Sequence, residues 1–171
     1  PLSLETISFS DEAELCMQEK QKHAGWGNVI VQRSVVCVVQ NQREQIQEIL
    51  LTKRGSGHRV TTSKSLLISG DPALPPAQIL QNKVDIGEGM SGVHFSHLGY
   101  GFSGSKGIYY YFDIFCAMFP SIHKEIASRI AKDHVEFRPT EEVPAAIGQK
   151  KLEIHILQHL LDSRHLPDAT D

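Results

Sequence analysis

The stretch SVVCVVQNQREQIQEILLTKR, residues 34–54, sets the start of the fold as a pair of adjacent strands. Two runs rich in Val, Ile and Leu flank the polar segment NQREQ, which is the composition of two β-strands joined by a turn. The first run extends back to residue 28, so the pattern predicts strands over 28–40 and 46–54. Both faces of the second run carry apolar groups, which indicates a strand well inside a sheet.

Further along the chain the apolar pattern alternates between strand and helix. IYYYFDIFCAMF (108–119) is the strongest strand signal, and AQILQNKVD predicts a helix near residues 77–86 after two prolines. KKLEIHILQHLLDSR (150–164) closes the fold as a helix in which Leu157 and Leu160 belong to a buried apolar face. This order predicts an α+β fold in which helices flank a mixed β-sheet, an α/β/α sandwich.

Weaker signals complete the expected layout of one domain over residues 1–171. We treat residues 1–27 as an N-terminal extension with a short helix, because SDEAELCMQEKQKH begins with a capping serine and acids. The remaining expected elements are short strands at 65–69, 93–102 and 134–139, a helix at 121–133, and a turn or short helix at 140–148.

Bulk composition excludes several classes of protein. A formal net charge of -3 argues against a broad nucleic-acid surface, and no apolar run is long enough to span a bilayer. The three cysteines are far apart, and Cys37 and Cys116 lie in apolar runs where a thiol packs as a small hydrophobe. No cysteine pair has metal-ligand spacing, so a reducing, cytoplasmic setting is expected, and no signal peptide is visible.

Three stretches of this layout resemble the Nudix hydrolase family over about residues 28 to 162. The hairpin of residues 34–54 is similar to the opening strands that lead to an LL-x-x-R strand end. LLISGD (66–71) stands where the family has its LPGG turn before the catalytic helix. VEFRPTEEVPAAIGQKKLEIHILQHLL (135–161) is similar to the late strand, the P-x-x-E-L-P turn and the C-terminal helix. The resemblance implies a Nudix-like fold and chemistry on nucleoside diphosphate derivatives.

The family signature is the Nudix box, G-x5-E-x7-R-E-U-x-E-E-x-G-U, where U is apolar. Its glutamates lie on one helix face and bind a divalent metal that neutralises a diphosphate and activates water. Laid without gaps from Gly70, the pattern places acids at Asp85 and Glu88, which the resemblance implies as a metal pair for Mg²⁺. The other reading of the two residues is a pair of solvated acids at a helix end.

Most other positions of the box differ from the family pattern. The first glutamate falls on Pro76, the arginine on Val84, the last glutamate on Gly89 and the closing glycine on Ser91. Anchored instead on Gly89 as the closing glycine, the acidic positions fall on Lys83, Ile86 and Gly87. We therefore expect a degenerate catalytic box.

Other polar residues have both a functional and a structural interpretation. Glu141 and Glu142 lie in the turn where some Nudix enzymes carry a general base, although paired acids in a turn are commonly solvated. His94 and His97 should face opposite ways on a strand, since they are an odd number of residues apart. His155 and His159, one helical turn apart, are either a metal pair or polar positions beside the apolar face.

Consecutive tyrosines 109–111 must alternate between the two faces of their strand. Aromatic rings there could stack on a nucleobase or simply pack against the sheet.

Two functions follow from the resemblance. The first is a Nudix-fold module that binds a nucleotide-derived small molecule or a protein partner, with little or no hydrolysis. The alternative is a divergent Mg²⁺-dependent hydrolase of a nucleoside diphosphate linked to another moiety, with Asp85 and Glu88 as metal ligands and Glu141 or Glu142 as base. A third reading is an unrelated α+β domain with a similar order of elements.

Overall fold

A mixed β-sheet forms the centre of the protein. The computed structural model describes residues 7–9, 29–43, 45–53, 64–84, 92–105, 108–120 and 135–165. Within these residues the sheet has eight strands: β1 (Ile7–Ser8), β2 (Val29–Gln40), β3 (Ile46–Lys53), β4 (Lys64–Ser65), β5 (Ile68–Gly70), β6 (His94–Ser105), β7 (Ile108–Phe119) and β8 (Val135–Pro139). Three helices join it: α1 (Pro76–Lys83), α2 (Val143–Ile147) and α3 (Lys151–His165).

The strand order is β1-β6-β7-β2-β3-β4, and β5 and β8 pair with β2 and β3 respectively. β2 runs parallel to β7 over eleven residue pairs and antiparallel to β3, so the sheet is mixed as predicted. The β-branched residues of β2 suit a strand that pairs on both edges and packs against a core on both faces. The three strands predicted over 28–40, 46–54 and 108–119 are confirmed.

The sheet separates two hydrophobic cores. On one face α3 inserts Leu157 and Leu160, which are buried as predicted, against β6 and β7. On the other face α1 inserts Ile79 and Leu80 against the odd-numbered side chains of β2. The α/β/α arrangement predicted from the sequence is therefore confirmed.

The cysteines of the central strands behave as the sequence predicts. Cys37 and Cys116 are fully buried, in the two separate cores. Burial is the first cause that raises the pKa of the Cys37 thiol well above its ordinary value.

Several boundaries differ from the prediction. The strand expected at 65–69 is two short strands, β4 and β5, because they pair with different partners, β3 and β2. β6 continues through the glycine-serine segment to Ser105. Glycine-rich sequence does not favour a strand by itself, but pairing with β7 supplies the hydrogen bonds that stabilise one here. The helices expected at 10–23 and 121–133 lie outside the described residues.

Residues 7–9 of the expected N-terminal extension join the sheet. β1 runs parallel to β6, and Phe9 lies buried in the core on the α3 face. Gly99 makes this approach possible, because its φ is +156° and an added Cβ would lie 1.9 Å from the Ile7 carbonyl oxygen. No helix in the described part of the chain is long and apolar enough to cross a membrane.

Candidate functional site

Helix α1 contains no acidic residue. Its sequence is PAQILQNK, with Pro76 at the first position, where a missing N–H costs nothing. Ile79 and Leu80 face the sheet, and Gln78 donates an exposed hydrogen bond to Asn82 at 2.7 Å. The outward face of the helix therefore presents amides and Lys83, and Pro76 occupies the one glutamate position of the gapless Nudix pattern that falls within α1.

The helix also ends earlier than predicted. The expected span of 77–86 is wrong at its C-terminal end, since α1 stops at Lys83 and Val84 is extended, with φ -133° and ψ 127°. Val84 turns its side chain into the core on the α1 face, which favours leaving the helix at this point. Asp85 and Glu88 lie outside the described residues, so their role as a metal pair stays a prediction. Within the described residues, no group of three or more His, Cys, Asp or Glu side chains is placed to hold a metal.

Glu141 and Glu142 lie on a 3₁₀ turn, Thr140–Glu142, and both side chains are exposed. Glu141 accepts a hydrogen bond from the Thr140 hydroxyl at 3.3 Å, and Glu142 lies 3.7 Å from the Arg138 guanidinium. The turn leads into α2, which packs in the core on the α3 face, whereas α1 packs on the opposite face of the sheet. The structure does not bring these acids together with α1, and their role as a base stays a prediction.

The histidines divide between the faces of the sheet and helix α3. His94 pairs with Met118 and His97 with Phe115, so the two histidines point to opposite faces as predicted. His155 donates from Nδ1 to the Phe9 carbonyl oxygen at 2.6 Å, and the His159 ring meets the Phe9 ring edge-on at 5.5 Å. His155 and His159 therefore both contact Phe9, the residue that follows β1.

The tyrosines of β7 alternate as predicted. Tyr110 packs against the core on the α3 face, whereas Tyr109 and Tyr111 point to the α1 face. Tyr111 is buried and stacks on Tyr100 at a centroid distance of 6.0 Å. Tyr109 stacks on Phe102 at 5.4 Å and remains 43% exposed, so the start of β7 presents aromatic surface.

A cluster of three charged or ionisable side chains lies on the α1 face and was not predicted. Asp113 of β7 accepts from Arg33 Nε at 3.3 Å and Nη2 at 3.2 Å through Oδ2, and from His97 Nε2 at 2.5 Å through Oδ1. All three side chains are between 20% and 26% exposed. The cluster spans the three strands β2, β7 and β6.

Rings and a loop surround this polar cluster. The Arg33 guanidinium carbon lies 5.2 Å from the centroid of Phe115, a cation–π contact. The His97 ring packs at 4.9 Å against both Phe115 and Tyr100. Arg33 Nη1 also donates to the carbonyl oxygen of Leu74, immediately before α1, at 2.9 Å. The cluster thus links the sheet to the loop that leads into α1.

The sequence did carry a signal for the cluster. Arg33 and Asp113 are charged residues inside runs that otherwise read as buried strands, and a buried charge requires a partner. Their partnership depends on the parallel register of β2 and β7, which pairs Arg33 with Asp113 directly. That register does not follow from either strand alone.

Two further carboxylates are tied to the outer strands. Glu136 of β8 accepts from Lys64 and from Arg138 Nε, the latter at 3.0 Å. The hydrogen bond from Lys64 is the main cause that lowers the pKa of the Glu136 carboxyl from its ordinary value, and Arg138 acts in the same direction. Glu153 of α3 is 3% exposed and accepts from the Leu66 backbone N–H at 2.7 Å.

Solved structures identify this architecture. A Caenorhabditis elegans Ap4A hydrolase binary complex superposes with a TM-score of 0.51 at 14% identity, over 81% of this chain and 98% of that one. The Nudix domain of Shewanella oneidensis NrtR, solved with ADP ribose, gives 0.52 at 12% identity, over 90% and 99%. No family model and no curated protein matches the sequence.

The strand order, the two helix layers and these two superpositions define the Nudix fold. This confirms the fold that the hairpin, the LLISGD turn and the C-terminal helix predicted.

Proposed function

We propose that this Nudix-fold protein has a degenerate catalytic box. It acts as a binding module, with a nucleotide-derived small molecule as the ligand to test first, and has little or no hydrolase activity. A protein partner is the other occupant to test. The proposal keeps the cytoplasmic setting expected from the sequence.

The observation that carries the proposal is the chemistry of α1. The Nudix mechanism requires several carboxylates on this helix, since Mg²⁺ binds hard oxygen ligands in near-octahedral geometry. The eight residues of α1 offer three amide side chains and one lysine, and no carboxylate. Asp85 and Glu88 come after Lys83, the last residue of α1. Two acids without further partners would hold Mg²⁺ weakly, and diphosphate cleavage needs charge neutralisation together with an aligned water.

Polar and aromatic groups on the α1 face support binding. Arg33 uses three of its five N–H donors, two on Asp113 and one on the Leu74 carbonyl oxygen, and its side chain is 25% exposed. The exposed ring of Tyr109 lies on the same face, and aromatic rings stack readily on bases. The ADP ribose bound to the NrtR Nudix domain makes ADP-ribose the first ligand to test, and Ap4A the second.

Binding and turnover should be measured on the same preparation. Calorimetry with ADP-ribose and Ap4A, with and without Mg²⁺, reports binding, and chromatography of the same mixtures reports cleavage. We expect saturable binding of at least one ligand, and product formation no faster than in buffer with Mg²⁺. Absence of binding by every nucleotide derivative would contradict the small-molecule arm, and Mg²⁺-dependent turnover would contradict the degenerate box.

The alternative function is a divergent hydrolase that uses Asp85 and Glu88 with Mg²⁺, and Glu141 or Glu142 as base. Two observations favour it: the gapless pattern from Gly70 retains two acids, and the C. elegans structure with the same fold is an Ap4A hydrolase.

Single substitutions distinguish the two functions. Asp85→Asn and Glu88→Gln abolish turnover if the alternative holds, whereas under the proposal there is no turnover to lose. Asp71→Asn is the matched control, because Asp71 is an exposed acid just before α1 whose Oδ1 accepts from the Ala73 N–H, a bond that asparagine keeps.

A further inference from the structure

The guanidinium of Arg33 contacts two separate parts of the protein at once. Its Nε and Nη2 donate to Asp113 on β7, and its Nη1 donates to the Leu74 carbonyl oxygen at 2.9 Å. Phe115 lies against the guanidinium at 5.2 Å. These contacts fix the plane of the group, and with it the direction of the bond to Leu74.

The loop before α1 follows Gly70, which pairs with β2, and it packs Leu74 against the core on the α1 face; its other hydrogen bonds are internal. Within the loop, Leu74 N–H bonds to the Asp71 carbonyl oxygen at 3.0 Å, and Ala73 N–H bonds to the Asp71 side chain at 2.9 Å. Pro75, at the N-cap of α1, makes no capping hydrogen bond through its side chain. Among the described residues, Arg33 makes the side-chain hydrogen bond that ties the backbone of this loop to the sheet.

Asp113 and His97 orient Arg33 in turn. Asp113 directs one carboxylate oxygen to Arg33 and the other to His97, so its side chain is held from both sides. The rings of Tyr100 and Phe115 enclose His97 at 4.9 Å each. The orientation of Arg33 is therefore set by groups on β6 and β7. Neither of these strands precedes α1 in the chain, because α1 follows β5.

We propose that Arg33 is a positioning residue for the ligand proposed to bind on the α1 face: it holds the 71–75 loop and the start of α1 in register with the sheet, and Asp113 and His97 hold Arg33. The ligand affinity of the site depends on this arrangement. The affinity part rests on the binding function proposed above, whereas the positioning part stands on the contacts alone.

The chemistry requires arginine at position 33. Two donors on one edge of a guanidinium reach the carboxylate while a third reaches the carbonyl, in a fixed planar fork. A lysine ammonium keeps the charge and can pair with Asp113, but it is a compact group that cannot span both acceptors and pack its plane on Phe115. Arg33→Lys therefore separates charge from positioning.

Amide hydrogen exchange measured by mass spectrometry tests the positioning part. In Arg33→Lys, peptides covering residues 71–83 should exchange about tenfold faster, the loss expected when one charge-assisted hydrogen bond no longer closes the segment. Peptides covering 151–162 in α3 should be unchanged. Arg138→Lys is the matched control, since Arg138 is also a strand arginine paired with carboxylates, those of Glu136 and Glu142, and among the described residues its bonds do not involve the loop before α1.

The double variant checks that Arg33 and Asp113 act as one unit. Asp113→Asn alone should accelerate exchange of residues 71–83 to a similar extent, and Arg33→Lys with Asp113→Asn should add little to either single change, because both break the same linkage. A stability loss without positioning would instead accelerate α3 as well. Unchanged exchange at 71–83, or uniform acceleration of the whole chain, would overturn the proposal.

ADP-ribose calorimetry on the same variants tests the affinity part. We expect Arg33→Lys to weaken binding by about tenfold and Arg138→Lys to leave it unchanged. If wild-type protein binds no ADP-ribose, the proposed ligand fails while the exchange experiment still decides the role of Arg33. If wild type binds and Arg33→Lys binds equally well, the affinity part of the inference is overturned and the proposed function stands.

Discussion

Glu153 shows at the scale of a single residue how one carboxylate joins two parts of the fold. It accepts from the Leu66 N–H between β4 and β5, and its other oxygen lies 3.1 Å from Lys150 Nζ. Lys150 also donates to the Lys64 carbonyl oxygen, so the start of α3 and strand β4 are held together. Because Glu153 is only 3% exposed, water has little access to the groups that it bonds.

Removing this acceptor should be costly. Glu153→Ala leaves a buried N–H without a partner and should lower the free energy of unfolding by about 2 kcal/mol in chemical denaturation. Glu153→Gln keeps an acceptor and should lose less. Glu141→Ala, at an exposed acid, is the control and should change stability by no more than about 0.5 kcal/mol. Equal losses of stability in Glu153→Ala and Glu141→Ala would contradict the hydrogen bond between the Leu66 N–H and Glu153.

Glu136 gives a prediction for pH. Because its pKa is lowered by Lys64 first and Arg138 next, its ion pairs contribute stability fully above the ordinary glutamate pKa, about 4.3. That contribution is lost as the pH falls below this value through the lowered pKa. The stability difference between wild type and Glu136→Gln, measured by denaturation, should therefore shrink from about pH 6 to about pH 3. A difference that grows on acidification would show the opposite shift.

Single-residue features were predictable from sequence when they depended on local pattern alone. The burial of Cys37 and Cys116 and the alternation of the β7 tyrosines followed from strand geometry. The Arg33–Asp113 pair did not, because it depends on which strands are neighbours and in what register.

At the scale of elements, α3 closes one core and β1 reaches it from the far edge of the sheet. Leu157 and Leu160 are 5% and 0% exposed, as the spacing of apolar residues predicted. β1 is much shorter, and its attachment depends on Gly99, on the backbone pairing with β6 and on insertion of Phe9. No sequence pattern predicted this strand, since a strand of two residues is too short to show a periodicity.

Truncating the α3 leucines tests the docking of the helix. Leu157→Ala and Leu160→Ala should each reduce the free energy of unfolding by about 2 to 5 kcal/mol, because each leaves a cavity in a packed core. Gln158→Ala, an exposed position of the same helix, should be near neutral. Losses below about 0.5 kcal/mol for both leucines would mean that the helix is not docked in this way.

The attachment of β1 can be tested at Gly99. Gly99→Ala places a Cβ 1.9 Å from the Ile7 carbonyl oxygen and 2.8 Å from Phe9 Cε2, so β1 must move away. We expect faster hydrogen exchange in peptides covering residues 1–9 and a stability loss on the order of 2 to 4 kcal/mol as Phe9 leaves the core. Ser103→Ala, exposed on the same strand, is the control. Unchanged exchange at 1–9 would contradict the role of Gly99.

At the scale of the whole molecule, the layout of the fold was accessible from sequence and the site was only partly so. Long apolar runs and one amphipathic helix determine the sheet and its two layers, whatever the details of the loops. The candidate metal and catalytic residues came from a motif laid onto the chain, and α1 ends before the two acids that the motif places on it. The cluster beside α1 is a product of tertiary pairing, which no motif in the chain encodes.

The central proposal is a Nudix fold that binds without cleaving, because the first glutamate, the arginine and the last glutamate of the box fall on Pro76, Val84 and Gly89. Its most direct test is ADP-ribose with Mg²⁺ followed over time, with bound and cleaved ligand quantified in the same mixture. We expect saturable binding and cleavage at the rate of buffer alone, in wild type and in Glu88→Gln alike. Cleavage by wild type that Glu88→Gln abolishes would contradict it and make the protein a metal-dependent hydrolase.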